Sequence, residues 1–385
     1  MNGLVLSGGG ARGAYEAGVL YYLYVAGSSA LREQVKFEVL SGTSIGALHA
    51  GALAAGIHEP ATAARQIASL WRTLSVEQLL QLQLRDLFGL SRWLLGRSGR
   101  ESLFPGGPVA RLLEGAVDWG QLQRNLRARR LEAISMSCCQ VPTGKTFIFY
   151  ETADQQRRTF SRDPQSVAQL TRLSATHAQA SAAIPFIFPS VLIDGIPYVD
   201  GALRQNTPLS PALRLGADRV LLIGLSRSRE LPTPRSPREW RRRLASPAFV
   251  LSTVLHTLTL EQVDHELLRL EQLNQLLRVD PPLASRLNTH LADHRGARYR
   301  EIPTLNLRPS KSLGGLAADY LRGQRRRSQP FMRRFLKLLA QLEGGDVADL
   351  ASYLLFEGDF CDQLINLAIE DTHRRRDELA RFFES

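Results

Sequence analysis

Three short stretches of this chain carry residue types that do chemistry when they are brought together. The first is Gly42-Thr43-Ser44-Ile45-Gly46, a serine with a glycine two residues to either side. Glycines at that spacing allow a sharp strand-to-helix turn, which leaves the serine Oγ exposed at a helix N-terminus where developing negative charge is favoured. The second is Gly8-Gly9-Gly10-Ala11-Arg12-Gly13. Three consecutive glycines turn backbone N–H groups outward without steric cost, and the positive end of a following helix completes an anion cradle. Two chemistries use such a cradle: binding a dinucleotide pyrophosphate, and stabilising the oxyanion of an acyl transfer. The third is Asp200-Gly201-Ala202, a carboxylate closing a strand-like run beside a flexible glycine, where it can face a cleft. Asp194-Gly195, six residues earlier, lies between Val191-Leu192-Ile193 and Ile196–Val199 and reads as a hairpin turn without chemistry.

Positioning these groups falls to a repeated strand–turn–helix pattern. Residues 3–6 read as a short buried strand stopped by the glycines, and Ala14–Val25 as a helix. A second strand, Lys36–Leu40, runs into the Gly42–Gly46 turn. A helix then follows through Ala47, Ala50, Gly51, Ala54 and Ala55, whose small side chains let it lie close to a sheet. This alternation predicts an α/β protein with a parallel sheet and crossover helices. It also argues against a dinucleotide site, which needs an acidic residue closing the second strand to hold a ribose; here the strand leads into Ser41-Gly42-Thr43-Ser44.

Farther along, Ala61–Leu95 reads as amphipathic helix. It ends in an apolar group (Phe88, Leu90, Trp93, Leu94, Leu95) suited either to a core or to an interfacial lid. Strands are expected at Leu131–Val141, Thr146–Tyr150, Arg219–Gly224 and Ile302–Leu307, and helices at Ser166–Ala182 and Phe249–Leu277. Residues 1–310 are expected to form the catalytic domain, with its motif core at 3–226 and an Arg/Pro-rich loop at 226–247. Residues 311–385 read as a helical C-terminal extension.

Composition narrows the function classes. With 44% hydrophobic and 22% charged residues in 385, the chain is an ordinary globular sequence rather than a disordered one. Forty-eight Lys and Arg against 37 Asp and Glu leave a net charge of +11, which draws the surface toward polyanions. The basic segments Arg235–Arg243 and Arg322–Lys337 suit an anionic membrane surface as well as a phosphate backbone. No nucleic-acid motif or run of stacking aromatics is present, so nucleic acid is not expected as a partner. Cys138, Cys139 and Cys361 make neither a disulfide framework nor a metal-ligand spacing, so no metal or other cofactor is expected. The start of the chain has no basic n-region, and no apolar run reaches the ~18 residues of a membrane span. A cytoplasmic protein with at most peripheral membrane contact is expected; nothing bears on its oligomeric state.

The three motifs, in this order, resemble those of the patatin-like phospholipases. Ala180-Ser181-Ala182-Ala183-Ile184-Pro185, Phe188-Pro189, Asn206-Thr207-Pro208 and Gly216-Ala217-Asp218 are similar to stretches that surround the family's aspartate. The resemblance implies a three-layer α/β/α fold around a mainly parallel sheet, and a lipid acyl hydrolase working on phospholipids or other lipid esters. It implies Ser44 as nucleophile, Asp200 as its base, and an oxyanion hole from Gly8, Gly9, Gly10 and Arg12, with Gly13, Gly42, Gly46 and Gly201 as motif glycines. Two other readings compete. A Ser-His-Asp hydrolase would need a histidine from His49, His177, His256 or His265, in an order and context that do not match that fold. A non-catalytic module would use the glycine loop for a phosphate ligand.

Overall fold

Asn2–Leu6 is buried along all but its first residue, the pattern of a strand covered on both faces. In the computed structural model, which describes residues 1–76, 101, 102, 104–160, 163–226, 241, 264–295, 298–323 and 349–384, this strand lies near the middle of a nine-stranded sheet. Its strands are β1 (Asn2–Leu6), β2 (Val39–Thr43), β3 (Ala133–Gln140), β4 (Thr146–Thr152), β5 (Ser166–Leu170), β6 (Val191–Ile193), β7 (Ile196–Asp200), β8 (Arg219–Ile223) and β9 (Thr304–Leu307). The main order is β5-β4-β3-β2-β1-β8-β9, parallel from β3 through β9, with β4 antiparallel to β3. The β6–β7 hairpin docks antiparallel on the end of β3, setting Asp200 opposite Cys138.

Side chains alternate across the strands and feed two cores. Leu4, Leu6, Leu221 and Ile223 pack on one face with α1 (Ala14–Tyr21), α2 (Ile45–Gly56) and α7 (Gly358–Arg374). Val5, Val220 and Leu222 pack on the other with Leu209–Arg214 and with Leu270 of the helix over 264–279. Helices thus cover both faces of a mainly parallel sheet, as the sequence implied. The C-terminal region is helical, and its Phe360, Leu364 and Ile365 are wholly buried in the same core as Leu4. Close packing there depends on Gly18, where any side chain would run into the Ile365 carbonyl.

Local details depart from the sequence reading where pairing overrides propensity. The second strand is Val39–Thr43 rather than Lys36–Leu40. Residues 39–42 match 3–6 of β1, and 39–43 match 133–137 of β3, so Ser41 and Gly42 become strand despite weak strand preference, and Thr43 extends the strand along β3. The helix from Ala14 ends at Tyr21 and passes into a π-turn over Tyr22–Ala26. Ser166–Ala182 is not one helix: Ser166–Leu170 adds parallel to β4 as β5, and only Ala175–Ser181, α5, is helical. Most of Ala61–Leu95 beyond α3 (Pro60–Thr73), including Phe88 to Leu95, lies outside the described residues, as do nearly all of the two basic segments. All three cysteines are buried free thiols. Among the described residues no helix is long and apolar enough to cross a membrane.

Candidate active site

Two parallel strands end side by side, and the chemistry starts at their carboxyl ends. β1 opens into the glycine loop and β2 into Ser44, which sits between Thr43 and the first residue of α2 with φ 55° and ψ −124°. A serine at positive φ is strained, and the surroundings must hold it there. Two close approaches do so. A side chain at 42 would strike the Gly46 carbonyl, and one at 46 would strike the Leu6 carbonyl, so the elbow seats directly against β1 only with glycine at both positions. The Ser44 amide donates to Ser181 Oγ at 2.9 Å, and Ser181 Oγ donates in turn to the Ser137 carbonyl at 2.6 Å.

Ser44 Oγ donates to Asp200 Oδ2 at 2.6 Å, across 156 residues of chain. The other carboxylate oxygen accepts from the Ala202 amide at 2.8 Å, which fixes its rotation. Gly201 is packed on the Ser137 carbonyl, so the Asp-Gly turn lies flat on β3. Both Ser44 and Asp200 are 3% exposed. Burial raises the Asp200 pKa from 3.8 to about 7, against the opposing pull of the hydrogen bonds from Ser44 and Ala202.

The glycine loop curls beside this pair. Gly8, Gly9, Gly10, Ser44, Asp200 and Asn206 line one small cavity of about 50 Å³. The Gly8 amide is used, donating to the Asn206 carbonyl at 3.0 Å, and the Arg12 amide donates to the Gly9 carbonyl at 3.1 Å. The Gly9 and Gly10 amides have no hydrogen-bond partner among the described residues. Gly10 adopts φ 55°, and its α-carbon is pressed against the Tyr353 carbonyl of α6 (Asp349–Leu354). Gly13 packs on Ile45, linking the loop to the elbow. The Arg12 guanidinium turns away from the hydroxyl: it donates to Ser352 Oγ at 2.7 Å and Asp349 Oδ1 at 2.8 Å, and stacks over the Tyr353 ring. The expected anion-holding set therefore divides, with the three glycines beside Ser44 and the Arg12 side chain clamping the C-terminal helix.

A second, larger cavity of about 560 Å³ starts at Ser44 and Gly10 and runs between α2, α3 and α4 (Gly107–Ala116). Its walls are mostly aliphatic and aromatic, among them Leu48, Ile67, Trp71, Val109, Leu112 and Phe356. No histidine among the described residues hydrogen-bonds to Ser44 or Asp200. His49 is buried against Glu16 and Trp71, His177 bonds Ser174 and packs on the Phe149 ring, and His265 is exposed; His256 lies outside the described residues. Asp194 and Gly195, both at positive φ, form the β6–β7 turn. Among the described residues no group of three or more His, Cys, Asp or Glu could hold a metal ion. Sequence reasoning missed the supporting contacts of Ser181, Ser137 and Asn206; Ser181 and Asn206 stood in stretches already singled out, but nothing local marked what they touch.

Fold and site together define an α/β protein with a serine at a strand-to-helix elbow, paired with an aspartate and flanked by a glycine loop. The patatin-like phospholipase family model matches residues 4–213, more than half of the chain, and the chain belongs to that family. Among solved structures it is similar to VipD from Legionella pneumophila, at 14% identity and a TM-score of 0.35, over 95% of this chain and 66% of that one. The chain thus spans slightly less than two thirds of that protein's length.

Proposed function

We propose that this chain is a lipid acyl hydrolase of phospholipase A or lysophospholipase type, with Ser44 as nucleophile and Asp200 as its base. The observation that carries the reading is the 2.6 Å bond between two buried side chains that only the fold brings together. In the reaction Asp200 takes the Ser44 proton as Oγ attacks the ester carbonyl. The Gly9 and Gly10 amides hold the oxyanion, each donor being worth about 3 kcal/mol of transition-state stabilisation. The protonated Asp200 then gives its proton to the leaving alcohol. Water, deprotonated by the same carboxylate, releases the acyl chain and restores Ser44. The 560 Å³ cavity takes that chain, its volume falling in the range of about 300–1,000 Å³ typical of small-molecule pockets. In this proposal residues 1–310 form the catalytic unit, and α6 of the 311–385 extension seats on its glycine loop.

A fluorophosphonate probe tests the nucleophile. The wild-type chain is expected to label on Ser44 and the Ser44→Ala variant not to label; an unlabelled wild type would favour a module that only binds. Surface charge sets the substrate's setting. At +11 the chain is drawn to anionic interfaces, so hydrolysis is expected to be faster on anionic than on neutral phospholipid vesicles at low salt. Equal rates on both would remove the membrane preference from the proposal.

A further inference from the structure

Among the buried polar groups that this mechanism leaves unused, Glu16, His49 and Trp71 form one chain of hydrogen bonds. Glu16 on α1 is wholly buried; its Oε1 accepts from the Ser7 amide at 2.8 Å, and its Oε2 lies 2.7 Å from His49 Nδ1. On the far side of the imidazole, Trp71 Nε1 donates to His49 Nε2 at 2.8 Å. An indole N–H can only donate, so His49 Nε2 must accept, and the neutral ring then carries its proton on Nδ1 and gives that bond to Glu16. Trp71 thereby fixes the tautomer, and the tautomer makes both Glu16 oxygens acceptors. Two donors thus hold Glu16, offsetting part of the upward push that burial gives its pKa.

The ends of this chain reach two parts of the site. Ser7 directly precedes Gly8; its Oγ bonds Thr207 Oγ1 at 2.8 Å, so the base of the glycine loop is held by Glu16, Thr207 and, through the Gly8 amide, Asn206. His49 stands five residues past Ser44 on α2, and with Trp71 it lines the large cavity that starts at Ser44. Replacing a buried hydrogen-bonded polar cluster by packed apolar side chains is often neutral or stabilising, so stability alone does not account for it.

We propose that Glu16, His49 and Trp71 form a positioning relay, which holds the Ser7–Gly10 loop in alignment with Ser44 and ties that alignment to the cavity wall an acyl chain would touch. The proposal rests on the acyl-hydrolase reading above. The three residues touch no reacting atom; they act through the loop.

Glu16→Gln tests it by a conflict of protons. The new carboxamide oxygen accepts from Ser7, its NH₂ faces His49 Nδ1, and the ring proton must move to Nε2, where it meets the Trp71 N–H. Trp71→Phe removes that second donor. Glu16→Gln in the wild-type background is expected to lower kcat about tenfold with KM within about twofold, because the loop acts in the transition state. In the Trp71→Phe background the same change is expected to cost less than about threefold, a non-additive cycle. An equal loss in both backgrounds, or a loss confined to KM, overturns the relay. NMR of the ¹⁵N-labelled wild-type ring reads it without activity. Protonated Nδ1 and bare Nε2 support the relay, and the opposite tautomer or an imidazolium at neutral pH overturns it. A wild type that labels at Ser44 but gives an additive cycle sinks the relay alone, whereas an unlabelled wild type sinks both readings.

Discussion

Asp200→Asn is expected to reduce ester hydrolysis by a factor on the order of 10⁴, the size seen when a serine loses the carboxylate behind its proton transfer, while making the folded protein more stable above pH 7. The two effects share one cause. An asparagine can accept from the Ala202 amide and face the Ser44 hydroxyl in the same position, but it cannot take a proton. The carboxylate it replaces is charged in a site that is 3% exposed. With its pKa raised from 3.8 to about 7, Asp200 binds more protons folded than unfolded between those values. Stability therefore falls as pH rises through that window, and the full burden, at most about 4 kcal/mol, remains above it. Removing the charge relieves that burden. Activity runs the opposite way, since only the ionised form is a base: kcat/KM should rise with pH through a midpoint near 7. Thermal melts of both proteins at pH 5 and pH 8, beside rate profiles across the same range, check the pair. A variant that kept wild-type rates would end the dyad, and one no more stable than wild type at pH 8 would remove the burden of burial from the explanation.

What the sequence disclosed and what it hid divide along a physical line. Backbone geometry was legible because it writes itself in glycine. The elbow around Ser44 and the loop at Gly8–Gly10 each need residues without a Cβ within a few positions, and the Asp194-Gly195 turn sorted one aspartate from another in the same way. Strand ends were less legible, since Ser41 and Gly42 are strand because β1 and β3 bond them on both sides, and Thr43 continues the strand on β3 alone. Side-chain partners were hidden altogether. Glu16, His49 and Trp71 come from three separate helices, and each alone looks like an ordinary buried residue or a solvated charge. Arg12 is the sharpest case. Its partner is 337 residues away, and no spacing rule joins the first loop of a chain to a helix near its end.

That distance is why Arg12→Ala should act first on stability. Its side chain is 3% exposed, bonds Ser352 and Asp349, and covers the Tyr353 ring, so α6 is pinned to the loop at the turn where the Tyr353 carbonyl meets Gly10. Breaking a buried ion pair by deleting one partner costs about 3–5 kcal/mol, because the remaining charge stays out of water. Arg12→Lys should recover only part of this, since an ammonium lacks the planar fork that reaches both Ser352 and Asp349. Denaturant melts are expected to show the full loss for Arg12→Ala and a similar one for Asp349→Ala. The double variant should be little worse than either, as for two halves of one interaction. Activity would fall with them, through a loop no longer held against Ser44. The opposite pattern, with Arg12→Ala inactive at wild-type stability and Asp349→Ala harmless, would mean that the guanidinium swings to the substrate and donates to the oxyanion itself, making its contact with α6 a resting place.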